Sequence, residues 1–160
     1  MKTFSQWLHV ANCHRSWNNE PIFIRGIPPW EKNTPIGISP NTTISTSLHN
    51  KGLKPLRPYG YILKIHPGGI VAAFDTDVCS KSTHGEKCIS QQTSHKKYRN
   101  YSEEELDELL TNTRPGYHNE IWVDSDKADI VGAYVTLPAP GWKKFQIAMQ
   151  QNNIPITWLT

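Results

Sequence analysis

Cysteine is scarce: the 160 residues include three, an odd number and too few for a disulfide framework. Cys79 and Cys88 enclose a polar loop and admit two readings, a pair formed in an oxidising compartment or two free thiols. Cys13 falls in an amphipathic stretch and reads as a small core residue. Neither CxxC nor HExxH occurs, so no metal site is expected. No GxGxxG follows a strand-like run and no GxxxxGK[ST] is present, which argues against dinucleotide-fold and P-loop sites. No apolar run is long enough to cross a membrane. Charge of one sign is lacking too. Seventeen Lys and Arg against fourteen Asp and Glu leave +3, too small an excess to imply a nucleic-acid partner by itself. The first seven residues carry no apolar h-region, so a secretory signal is not expected from them. A cytoplasmic site of action, another delivery route, or trimming from a longer protein are the open expectations.

What is present is turn chemistry and aromatic mass. Twelve Pro and ten Gly point to short elements joined by loops, and six Trp with six Tyr supply bulky core material. The length fits one domain over residues 1–160. Residues 3–14 place Phe4, Trp7, Leu8 and Ala11 on one helical face. Strand-like runs cover 21–25, 43–47, 59–66, 70–74, 120–123, 130–137 and 154–159. Residues 26–41, with four Pro, read as loop, 48–53 as a turn or short helix, and 75–101 as the least structured segment. Ser102 and Glu105 make a capping box for a helix reaching about Asn112, and a last helix is expected over 142–152. Strands and helices do not alternate regularly, so the expected class is α+β and not a doubly wound sheet.

Three short pieces carry possible chemistry. Arg25 ends the apolar run Pro21-Ile22-Phe23-Ile24. A guanidinium there either pairs with an anion such as a dinucleotide phosphate, for which its planar fork is suited, or reaches solvent. Ser45-Thr46-Ser47 ends a second run twenty residues on. Its hydroxyls can hold a ribose or orient a carboxylate, or simply face water from a half-buried strand. Glu120 opens Glu-Ile-Trp-Val after the loop Arg114-Pro115-Gly116-Tyr117-His118-Asn119. A carboxylate there can stabilise positive charge growing on a sugar C1′, as in glycosidases, or be a solvated strand-edge Glu.

In this order the pieces resemble the Arg / Ser-Thr-Ser / Glu pattern of mono-ADP-ribosyltransferase toxins of the cholera and pertussis type. Phe23-Ile24-Arg25-Gly26-Ile27-Pro28-Pro29 is similar to their first strand, Ile44-Ser45-Thr46-Ser47-Leu48 to their Ser-Thr-Ser strand, and Gly60-Tyr61-Ile62-Leu63-Lys64-Ile65 to the strand after it. Ile130-Val131-Gly132-Ala133-Tyr134-Val135, ten residues beyond Glu120, is similar to the strand that follows the catalytic Glu. The likeness spans residues 21–136.

The resemblance implies a split β-sandwich with flanking helices and NAD, as substrate, in a central cleft. It implies that Arg25 and Gly26 bind NAD and that Ser45, Thr46 and Ser47 form the cofactor-side strand. Ser45 would also position Glu120, the catalytic carboxylate. It implies a toxin or effector, secreted or injected, that moves ADP-ribose onto a macromolecule in a target-cell cytoplasm, a protein before a nucleic acid, without a metal. The family often has Glu or Gln two residues before the catalytic Glu, whereas this chain has His118. That departure puts arginine specificity in question and leaves His118 as an acceptor-side base or a loop residue. NAD hydrolysis is the related alternative. A different class is a non-catalytic module that binds protein or nucleic acid through Trp17, Trp30 and the basic segment 96–99.

Overall fold

The computed structural model describes residues 21–28, 37–77 and 101–159. The expected helix over 3–14, all three cysteines, Trp17, Trp30 and the basic segment 96–99 lie outside the described residues. What is described is mixed α+β: a seven-stranded, mostly antiparallel sheet and two α-helices.

The strands are β1 (Ile22–Gly26), β2 (Thr43–His49), β3 (Tyr59–Ile65), β4 (Ile70–Phe74), β5 (Glu120–Asp124), β6 (Ala128–Val135) and β7 (Ile156–Trp158). Helix α1 (Glu103–Asn112) precedes β5, and α2 (Trp142–Gln151) joins β6 to β7. The spatial order is β4-β5-β2-β1-β3-β6-β7. Among the described residues only the β6/β7 pairing is parallel, and α2 supplies the crossover that parallel neighbours need.

Alternation along the strands sorts the core. Phe23, Ile44, Leu48, Tyr61, Leu63, Ile121 and Val123 face one way and pack with Leu106 and Leu109 of α1 and Met149 of α2. Ile22, Ile24, Ile62 and Tyr134 form a separate cluster on the other face, where Ala72 and Trp122 form another, with Phe74 against it. Helix α1 starts as its sequence predicts. The Ser102 hydroxyl accepts from the Glu105 N–H, and the Glu105 carboxylate accepts from the Ser102 N–H.

Two expectations are corrected. Leu48 and His49 are not in a turn; they extend β2, because Phe23 and Ile22 pair with them across the ladder and the Asn119 side chain pairs with Leu48 from the other side. Gly26 belongs to β1 and not to the following loop, because it pairs with Gly60 of β3.

Strand β2 has two different neighbours on its β5 and β1 sides. Thr43 to Thr46 pair with β5, while Ser47 to His49 pair with β1. The strand changes partner inside Ser45-Thr46-Ser47, so the two parts of the sheet are joined through that tripeptide.

Candidate functional site

The change of partner leaves β1 and β2 without a continued ladder beyond the Ile24–Ser47 pair. Arg25 sits next along β1. Its alternation places it with Phe23 and opposite Tyr61, on the helix-covered face. From there its long side chain reaches into the gap, and Nη1 donates to the Ser45 carbonyl oxygen at 3.0 Å. A guanidinium thus stands where a strand-to-strand bond would otherwise run.

Ser45 and Glu120 lie on the opposite face, with Trp122. Ser45 is the cross-strand partner of Trp122, and Glu120 is two residues from Trp122 along β5, so all three project the same way. The Ser45 hydroxyl donates to Glu120 Oε1 at 2.9 Å. The Trp122 indole N–H donates to the same oxygen at 2.9 Å. Glu120 is 3% exposed. Taking a carboxylate out of water costs several kcal/mol unless hydrogen bonds replace its hydration, and these two donors do so while fixing its orientation.

Thr46 and Ser47 have different tasks. The Thr46 hydroxyl donates to the Ile121 carbonyl at 2.8 Å, and the Ser47 hydroxyl to the Asn119 carbonyl at 2.8 Å. Both fasten β2 to the start of β5 and thereby hold Ser45 beside Glu120. Gly26 is also spoken for. A Cβ there would lie 2.4 and 2.5 Å from the Arg57 Cγ and Cβ, so its missing side chain makes room for the Arg57 stem. The Arg57 carbonyl accepts from the Tyr134 hydroxyl at 3.1 Å. Burial pushes that phenol well above its ordinary range, with Arg57 pulling the other way.

His118, two residues before Glu120, has its Nε2 3.0 Å from Asp77 Oδ2. Asn119, between His118 and Glu120, is fully buried. Its amide accepts from the Leu48 N–H at 2.7 Å and donates to the Leu48 carbonyl at 2.8 Å, as a neighbouring strand would. It also donates to Thr113, the residue that ends α1. One side chain therefore ties β2, β5 and the end of α1 together at the carboxylate.

The sequence motifs for Arg25, Ser45 and Glu120 thus converge in space. Trp122 bonds to Glu120 and Asn119 ties down the adjoining strand without having stood out in the sequence, and Asp77 pairs with His118. The spacing of Glu120 and Trp122 on one strand face is a signal for the indole. Asn119 and Asp77 depend on tertiary register. His49, at the end of β2, carries no sequence signal either. It is buried, and desolvation lowers its pKa from 6.5 to about 4.

A fixed carboxylate beside a strand-end hydroxyl, with a guanidinium at the same junction, can stabilise developing positive charge and hold an anionic ligand. Among the described residues, no group of three or more His, Cys, Asp and Glu is placed to hold a metal ion, and no helix is long and apolar enough to cross a membrane. No protein-family model matches the chain, and no curated protein is significantly similar to it.

Proposed function

We propose that this chain is an NAD-dependent mono-ADP-ribosyltransferase that acts as a toxin or effector on a macromolecular acceptor, a protein in the first instance. One observation carries the reading. Arg25, Ser45 and Glu120, which belong to three separate segments, form a continuous chain of hydrogen bonds: Arg25 to the Ser45 carbonyl, and the Ser45 hydroxyl to Glu120. A solvated strand-edge Glu and an Arg reaching water have no reason to be joined through one serine. The change of partner on β2 supports the finer fold reading, a split sheet of the ADP-ribosyltransferase type with NAD in the cleft.

The chemistry follows from the residues. In NAD the nicotinamide nitrogen is quaternary and leaves C1′ of the ribose as a neutral base. The bond pair leaves with it, and positive charge builds on C1′ and the ring oxygen. Glu120, held by Ser45 and Trp122, presents negative charge to that centre without reorganising. Arg25 serves the phosphate side, where its planar fork matches the ligand. Thr46 and Ser47 keep the strand in place.

Isotope-labelled NAD incubated with the protein and a cell lysate tests the reading. Transfer of label to macromolecules together with nicotinamide release is expected. Absence of both would leave a binding module as the better account.

A further inference from the structure

We propose that the β6/β7 corner of the sheet is a docking surface for an anionic membrane. Leu137 and Trp158 enter the interface between headgroups, while Lys143 and Lys144 meet the lipid charge. The inference stands apart from the transferase reading and needs no NAD chemistry.

The topology gathers the four side chains. Val135, the last residue of β6, is the register partner of Trp158 at the end of β7. Leu137 follows Val135 by two residues. On its other side Val135 pairs with Tyr59, and the Trp142 ring at the start of α2 packs on Tyr59 at 5.6 Å. Lys143 and Lys144 come next in that helix, and both are exposed.

Leu137 is 63% exposed and Trp158 56%, and the backbone around each is fastened. The Thr136 N–H and hydroxyl both donate to the Pro58 carbonyl. The Tyr59 hydroxyl donates to the Pro140 carbonyl, and the Trp142 N–H to the Ala139 carbonyl. The Leu159 N–H donates to the Val135 carbonyl, and the Leu159 side chain is buried. Leu137 and Trp158 are thus held out in water by the structure on either side of them. The fold forgoes the burial that each could contribute.

Charge decides the partner. From Ile130 to Thr160 there is no Asp or Glu, and Lys143 and Lys144 are the only charged side chains. Both lie in the first turn of α2, where the macrodipole favours acids, so the helix itself gains nothing from them. Lys is depleted in protein–protein interfaces and is drawn to the negative surface of anionic lipid. Trp is enriched at the membrane–water boundary, which takes its apolar ring and its N–H together. Protruding side chains also suit a fluid interface, which needs no preformed pocket to receive them. Four strands stand between β7 and β5 in the sheet, so this surface is distinct from the Glu120 site.

The test is co-sedimentation of the full chain with vesicles of phosphatidylcholine alone and of an equimolar mixture of phosphatidylcholine and phosphatidylserine. The wild type is expected to bind the mixed vesicles about tenfold or more tightly than the neutral ones, and to lose that preference as salt is raised. Two double variants, Lys143→Ala with Lys144→Ala and Leu137→Ala with Trp158→Ala, are each expected to weaken binding to the mixed vesicles by about tenfold or more. All four side chains are exposed, so thermal unfolding of the variants should match wild type. Trp158→Phe keeps an apolar ring and should still bind. It should lose the tryptophan quenching that brominated acyl chains produce in the wild type. Equal binding to neutral and mixed vesicles, wild-type binding by either double variant, or undiminished quenching in Trp158→Phe would overturn the inference. A wild type that ignores both vesicles and binds polyglutamate would overturn it too, and would assign the corner to an acidic protein.

Discussion

Arg25 shows how much one side chain can be asked to do. It lies on the helix-covered face by alternation, yet its Nη1 bonds to the carbonyl of Ser45, whose side chain faces the other way. The guanidinium is therefore both a strut at the point where β1 and β2 part and the proposed phosphate clamp. Arg25→Lys retains the charge and loses the planar fork, so it cannot hold the Ser45 carbonyl and a phosphate together. We predict an NAD dissociation constant raised by about tenfold, equivalent to ~1.4 kcal/mol, with the fold intact. Calorimetric titration of NAD checks this, and an unchanged affinity would leave Arg25 with the strut role alone. Ser45 and Glu120 are legible in the sequence because each lies in a short contiguous motif. The bond between them is only implied there, by resemblance. The resemblance implies that Gly26 binds NAD, and in the fold the Arg57 stem lies against this glycine. A backbone position that needs space gives the same sequence signal whichever neighbour fills that space.

At the level of elements, the junction of β2, β5 and α1 holds the carboxylate in place. Most strands and both helices can be read from alternation, periodicity and the Ser102–Glu105 cap, because those signals are local. The departure at Leu48 and His49 is not local. Their extension depends on pairing with β1, distant in sequence, and on the Asn119 amide acting as a substitute strand. Asn119→Ala removes that substitute and strands two buried backbone groups of Leu48. We predict a loss of about 2–4 kcal/mol in unfolding free energy by denaturant titration. Nicotinamide release should fall as well, because Glu120 is the next residue. A loss below about 0.5 kcal/mol would mean that water or a shifted strand replaces the amide readily.

For the whole molecule, pH reveals a cost hidden in the core. His49 is buried, and its pKa is lowered to about 4 by desolvation. The unfolded chain binds this proton below about pH 6.5, whereas the folded chain resists it until about pH 4. The unfolded state therefore carries more protons across that window, and stability falls as pH drops through it. Above about pH 6.5 both states are neutral at His49 and its contribution is flat. The full effect is about 3 kcal/mol. Denaturant unfolding between pH 7 and pH 4.5 should show a decline that His49→Gln makes shallower. Equal slopes for the two proteins would show that His49 is protonated in the fold or reaches water. No sequence signal marks this residue, because its burial follows from its place opposite Ile22 in the finished sheet.

The central claim is that Glu120 is the carboxylate that stabilises cleavage of the nicotinamide–ribose bond. Glutamine is the suitable replacement. Its carbonyl oxygen can still accept from the Ser45 hydroxyl and the Trp122 indole, which both bond to Oε1, while the negative charge is removed. The most direct measurement is the rate of nicotinamide release from NAD by wild type and Glu120→Gln, with matched thermal unfolding of the two proteins. The account predicts release by the wild type and a fall of about 10²–10³-fold in the variant, equivalent to roughly 3–4 kcal/mol of transition-state stabilisation, with NAD binding preserved. Near-normal release by a folded Glu120→Gln protein would contradict it.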